Sequence, residues 1–343
     1  MNKNLDFLRA FAVLLVFAGH ALAFFDRLGP YGPLRLATLG ALGVLLFFVH
    51  TSLVLMQSLE REPGAAKFFI RRIFRVYPLA IVVILLIAIF RLPQATIGPH
   101  HFSGFTFDFE DLIANLSLTQ NFSLRTPILG PTWSLCYEMQ MYVFLPFLFV
   151  MARSMRAVIA LYLASVGIAF LGLHYSATPN LSFFAPCFLS GILAYRLMKG
   201  SGHKLPAFCW PIFVALLSLL YFSVKNNHYN DYLLCLVLGV GVPRFEQISS
   251  PALARVSHCI AKYSYGIYLT HFACLYLAFE RLRGQPFALQ FVVFVSLFVA
   301  LSMVLYHGIE EPFIRLGKRI TRSNPSSSRV DSTVANLPLA LSE

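Results

Sequence analysis

Long apolar stretches with almost no charge inside them constrain this chain more than any other feature. About ten can be drawn, at residues 5–25, 36–57, 77–92, 133–151, 157–173, 181–198, 208–224, 230–243, 263–281 and 287–307. At about 1.5 Å per residue, most are long enough to cross a hydrocarbon layer of roughly 30 Å as a helix. The third and eighth are shorter than the others. In that solvent only helices and closed barrels satisfy every backbone polar group. The stretches are continuously apolar rather than alternating, so a barrel fits poorly. Charged residues are 12% of the chain and hydrophobic residues 58%, against about 25% and about 45–50% in soluble domains. This excludes an ordinary cytosolic enzyme, a disordered chain and a collagen-like fibre. The expected fold is all-α, a polytopic membrane helix bundle of about ten transmembrane helices.

The net charge is +12. A value of this size often signals nucleic acid, but here the basic residues sit in short loops between apolar stretches. They read as a topology signal. With the N-terminus in the cytoplasm, 20 of the 27 Lys and Arg fall on the cytoplasmic side and 7 on the far side. Both termini are therefore expected in the cytoplasm, with an even number of spans. The first stretch, ending in Ala21-Leu22-Ala23, imitates a signal peptide, but Asp6, Arg9 and His20 are foreign to one, so it reads as a retained helix. Residues 1–322 read as one membrane domain and the polar, Ser-rich residues 323–343 as a disordered cytoplasmic tail. Residues 93–132 form the longest external loop, within which 110–122 reads as a half-helix or a re-entrant piece. The six cysteines are dispersed without a CxxC pair and read as free thiols. No Walker A or GxGxxG sequence is present, which weighs against an ATP-driven pump. No metal-ligand spacing stands out, and His100-His101 is isolated in a loop.

Ionisable residues inside a span are costly and are functional candidates by default. Arg9 and His20 are eleven residues apart, close to three helical turns, so both lie on one face roughly 16 Å apart along the axis. Arg9 alone could be a snorkelling anchor. His20 lies too deep for that and is either a satisfied structural histidine or a proton acceptor. Arg72 and Arg75, with Arg71 beside them and Tyr77-Pro78 following, share a face at i and i+3. Guanidinium forks suit phosphate oxygens, although a basic run at a helix start is also a plain topology signal. Trp133-Ser134-Leu135 opens the next stretch and Glu138 follows a turn and a half in, with Tyr142 on the same face. Ser264, Tyr268 and His271 form a polar stripe, read either as helix-to-helix hydrogen bonding or as the lining of a substrate path. Glu310-Glu311-Pro312 closes the last stretch, where Glu310 can pair with a loop arginine.

In this order the residues resemble the acyltransferase-3 family of integral membrane acyltransferases, which includes O-antigen and exopolysaccharide O-acetyltransferases. The matching positions are Asp6, Arg9 and His20, then Arg72, Arg75, Tyr77 and Pro78. Trp133, Ser134, Leu135 and Glu138 follow, then residues 264–271 and finally residues 309–313. The likeness covers roughly residues 5–315. Ala10 stands where the family usually has glycine, and the chain lacks the hydrolase-like domain that some members carry at the C-terminus.

The resemblance implies transfer of an acyl group, most often acetyl, from acyl-CoA to a hydroxyl of a carbohydrate or lipid-linked glycan. It implies no tightly bound cofactor, and a multi-pass protein of a bacterial inner membrane. Arg72, Arg75, Arg71 and Tyr77 would hold coenzyme A at the cytoplasmic mouth. His20 would act as general base or carry the acyl group itself, and Arg9 would take a carbonyl or a phosphate. Glu138 and Glu310 would orient His20 or balance an arginine. Asp6, Trp133, Ser134, Tyr268 and His271 complete the candidate site. A secondary transporter of a small polar or anionic solute is the main alternative. It too would place charge within spans, but no repeated pair of broken helices is visible.

Overall fold

The computed structural model describes residues 2–25, 32–92, 94–95, 102–103, 106–175, 180–200, 202–224 and 227–322. The tail at 323–343 and the His100–His101 pair lie outside them. Twelve α-helices carry the described chain. They are α1 (Lys3–Phe25), α2 (Gly32–Arg61), α3 (Ala65–Ile89), α4 (Phe109–Leu116), α5 (Thr132–Met151) and α6 (Met155–Tyr175). After these come α7 (Leu181–Leu197), α8 (Cys209–Ser223), α9 (His228–Gly241), α10 (Pro251–Leu275), α11 (Phe287–Leu305) and α12 (Glu311–Ile320). The extended backbone among the described residues is a two-residue ladder, Gln94–Ala95 with Phe102–Ser103, and one bridge between Leu205 and Phe245.

Each apolar stretch of the sequence is helix in the structure. Among the described residues six helices are long and apolar enough to cross a membrane: α1, Thr38–Arg61 of α2, α3, α5, α6 and the continuous helix Phe287–Ile320. Helices α7 and α8 are apolar but have only 17 and 15 residues. The third stretch is not short after all. Helix α3 begins at Ala65 and takes in the whole arginine run, because Lys, Arg, Phe and Ile all tolerate helix and their charged ends can snorkel.

Helix α1 packs between α2 and α10, α7 packs against α2, α6 and α9, and α3 packs against α12. Two pairings fix directions. Arg9 meets Ser264 and His20 meets His271, so α1 and α10 run parallel. Arg71 meets Thr321 and Arg75 meets Glu310, so α3 and the last helix run antiparallel. Small residues set the closest crossings, as expected where helices associate in lipid. At Gly191 of α7 an added Cβ would collide with Ser52 Oγ and the Val49 carbonyl of α2. Two π-helical turns, Tyr276–Glu280 and Tyr306–Glu310, interrupt the ends of α10 and α11. The second turns Glu310 into the bundle. Such turns recur at functional sites.

The stretch 110–122 consists of α4 and the start of a loop that enters the bundle. Asp108 and Asp111 form a capping box at the start of α4. Arg125 pairs with Asp108 and Glu110 and draws the loop back over the helix. The Asn115 amide donates to the Asp111 and Thr126 carbonyls and accepts from the Ile128 N–H. Leu118, Gln120, Ile128 and Leu129 are buried. All six cysteines are free thiols.

Candidate active site

A cavity of about 100 Å³ lies between α1, α2, α3, α5 and α10. Its charged lining is Arg9, Arg72, Arg75 and Glu138. Glu310 reaches it through Arg75: Oε1 is 2.8 Å from Arg75 Nη1, and the Glu310 side chain is 0% exposed. Neither Glu310 oxygen has a hydrogen-bond donor in line, so the pair is coulombic and leaves both acceptors free. Arg9 Nε donates to Ser264 Oγ at 2.7 Å, and Ser264 passes its own proton to the Ala261 carbonyl at 2.9 Å. Tyr142 donates to Glu138. Arg72 Nε is buried without an acceptor. Three guanidiniums thus share two carboxylates, which leaves one positive charge in excess. An anionic ligand would offset it.

Tyr268 lines the cavity at the end nearer His271. Its hydroxyl donates to the Pro131 carbonyl at 2.8 Å and takes a hydrogen bond from Ser134 Oγ at 2.6 Å. Beyond Tyr268 the two imidazoles meet, with His20 Nδ1 2.8 Å from His271 Nε2. The Phe272 ring lies 4.5 Å from each of them. From Ser264 to His271 the rise along α10 is about 10 Å. The cationic group and the imidazole pair are therefore stacked along one axis rather than mixed in one pocket. Neither His20 nor His271 lines the cavity.

The structure brings Arg9, Arg72, Arg75, Ser134, Glu138 and Tyr268 together around the cavity. Four other candidates point elsewhere. Arg71 donates to Thr321 Oγ1 at 2.7 Å and pairs with Glu62. The Tyr77 hydroxyl donates to the Ser117 carbonyl at 3.1 Å. Asp6 faces His258 at 3.1 Å. Trp133 packs on Tyr137 and Phe184. Glu138 and Glu310 attend the arginines and Tyr142. The polar contact of His20 is with His271, not with a carboxylate.

The sequence reading passed over His50 and Tyr265, which also line the cavity. His50 is 6% exposed on α2. It is an ionisable residue in the middle of an apolar stretch, so the rule that selected His20 selects it too. Tyr265 donates to the Val76 carbonyl at 2.8 Å, just before Pro78. Its hint in the sequence was its place in the 264–271 element, beside the stripe of Ser264, Tyr268 and His271.

A bundle with six helices able to cross a membrane and a buried, arginine-rich site among them defines a multi-pass membrane protein with polar chemistry in its interior. The acyltransferase-3 profile, described as "Acyltransferase domain", matches residues 2–307, and the chain belongs to that family. Acyltransferase MdmB of Streptomyces mycarofaciens is 31% identical over 159 residues, which are 44% of this chain and 40% of that protein. "Putative acetyltransferase ORF330" of Acidianus two-tailed virus is 26% identical over 307 residues, 83% of this chain and 86% of that protein. The chain thus spans less than half the length of the first of these relatives. No solved structure matches it.

Proposed function

We propose that the protein transfers an acyl group, most simply acetyl, from acyl-CoA to a hydroxyl of a carbohydrate or lipid-linked glycan. The observation that carries the reading is the axial separation of cation and base. The excess positive charge lies at Arg9, Arg72 and Arg75, and the imidazole pair lies about 10 Å further along α10. A donor that spans both must keep its phosphates far from its reactive carbonyl. Acyl-CoA does so through its pantetheine arm, whereas an acyl phosphate, with carbonyl and phosphate joined, does not.

On this reading Arg72 and Arg9 take phosphate oxygens and Arg75 stays balanced by Glu310. The thioester arm passes Tyr268, whose side chain must turn aside. His20 accepts the proton of the acceptor hydroxyl as its oxygen attacks the thioester carbonyl. The carbon–sulfur bond breaks, and the departing thiolate of coenzyme A takes that proton from His20. A covalent acyl-His20 intermediate would use the same nitrogen. Ten helices, namely α1–α3 and α5–α11, cross the bilayer in this reading, and both termini lie in the cytoplasm of a bacterial inner membrane. The parallel run of α1 and α10 supports that count, since it makes them the first and ninth crossings.

The test is transfer of label from acetyl-CoA in membranes that express wild type, His20→Ala or Arg72→Ala at matched levels. Arg72 is the arginine to remove because no carboxylate is orphaned with it. Label in a glycan or lipid fraction with wild type, its loss with His20→Ala and a raised donor KM with Arg72→Ala are expected. Equal labelling by His20→Ala would remove His20 from the reaction. Failure with a panel of acyl-CoA donors in native membranes would overturn the reading.

A further inference from the structure

We propose that His271 is a positioning residue which holds His20 as the tautomer protonated on Nδ1 and so leaves the lone pair of His20 Nε2 for the acceptor hydroxyl. The proposal rests on the reading of His20 as the base.

The argument begins on α10. His271 is 0% exposed, and its Nδ1 lies 3.2 Å from the carbonyl of Ile267, one turn earlier on the same helix. A carbonyl oxygen can only accept, so Nδ1 of His271 carries the proton. The other neighbour of both rings is the apolar ring of Phe272. A charge buried there would lack compensation, so the imidazoles are neutral. His271 Nε2 is then a bare acceptor. The atom 2.8 Å from it is His20 Nδ1, which must supply the proton. The two rings are 6° from parallel with centroids 5.0 Å apart. With the nitrogens at 2.8 Å, that spacing places the hydrogen bond in the common ring plane. The relay runs one way, from the His20 Nδ1–H to His271 and from the His271 Nδ1–H to a fixed carbonyl. It leaves the lone pair of His20 on Nε2.

Over the Nε2 edge of the His20 ring lies a residue without a side chain. A Cβ on Gly40 of α2 would sit 3.2 Å from His20 Nε2 and 3.5 Å from Cε1. With Cδ2 at 3.6 Å as well, that carbon would lie on the face of the ring, so a larger residue would press on the imidazole and tip it. The relay does not depend on the arginine cavity. A base needs its tautomer fixed before substrate arrives; the usual means is a carbonyl or carboxylate on the far nitrogen, and here a second imidazole, itself held by a carbonyl, takes that place.

The experiment uses the full-length protein in lipid nanodiscs with 15N-labelled histidine. The His20 signal is assigned by its loss in His20→Asn. Wild type should have Nδ1 protonated and Nε2 bare. His271→Leu should move the proton of His20 to Nε2 and lower kcat about 10²-fold, with donor KM within about twofold because the arginines are untouched. His271→Gln, whose side-chain carbonyl can take the His20 Nδ1–H, should restore the tautomer and most of kcat. A wild-type His20 protonated on Nε2, or an unchanged tautomer in His271→Leu, would overturn the proposal even if that variant were inactive. The spectrum is read without turnover. Absence of acyl transfer in wild type would count against the proposed reaction, while the tautomer would still decide the role of His271.

Discussion

Breaking the ion pair between Arg75 and Glu310 tests whether the cavity is electrostatically built as described. The two groups are 2.8 Å apart, with side chains 24% and 0% exposed. At an effective dielectric of about 20 their attraction is about 6 kcal/mol. Desolvation offsets part of this, and loss of one partner from such a pair costs about 3–5 kcal/mol. Glu310→Met leaves three guanidiniums facing one carboxylate, and Arg75→Met leaves a fully buried carboxylate without its cation. Each single variant should lower unfolding free energy by about 3 kcal/mol, roughly two decades in the unfolding equilibrium. The double variant, apolar at both positions, should regain most of that while acyl transfer stays impaired. The assay is a double-mutant cycle by denaturant unfolding in mild detergent, with transfer measured in membranes. Single losses below about 0.5 kcal/mol, or a double loss equal to their sum, would refute the coupling.

Four further outcomes follow from particular contacts. Gly40→Ala should lower kcat about tenfold with little change in Tm, since its methyl would press on the face of the His20 ring, 3.2 Å from Nε2, and tip the base out of line; steady-state kinetics at matched expression would register it. Asn115→Ala should destabilise the protein by about 2–3 kcal/mol, since it takes the side-chain partner from the buried Ile128 N–H and from the Thr126 carbonyl of the loop; the readout is an unfolding curve. Tyr77→Phe should cost about 1 kcal/mol of stability and leave donor KM unchanged, because its hydroxyl serves the Ser117 carbonyl. Coenzyme A should compete with the donor better than 3′,5′-ADP does, a comparison made by inhibition of labelled transfer.

Much of the bundle was legible because a bilayer leaves the backbone few options. Apolar runs of the right length become helix, and all ten stretches did so. The start of α3 was misjudged because the apolar count stops at charges, while a helix carries Arg71, Arg72 and Arg75 on long stems. The site was legible residue by residue but not as an arrangement. Helical spacing set Ser264, Tyr268 and His271 on one face, but it does not say that Arg9 reaches the first and His20 the last. Arg71 and Arg72 are neighbours in sequence and point in different directions, because successive residues on a helix are about 100° apart. Arg71 turns to Thr321 and Glu62 while Arg72 turns to the cavity. The inward turn of Glu310 depends on a π turn, for which the sequence carries no simple signal.

On the proposed reading, the unsatisfied atoms in and behind the cavity narrow what it is shaped to hold. Arg72 Nε is a buried donor without an acceptor, and both Glu310 oxygens are acceptors without a donor in line. A simple anion would satisfy Arg72 and the excess positive charge, yet it would bring a like charge towards Glu310 and Glu138. A neutral sugar would supply hydroxyl donors to the carboxylates and leave the guanidinium charge uncompensated. Burial makes either mismatch expensive, since an unpaired polar group keeps its full desolvation cost. A ligand that joins phosphate acceptors to amide and hydroxyl donors along one chain satisfies both sets. The pantetheine phosphate of coenzyme A has that composition. The apolar wall of Val44, Phe47, Phe48, Val54 and Leu55 then faces the hydrocarbon parts of the same arm. Donor recognition on this account is a property of the pairing pattern as a whole and not of the arginines alone.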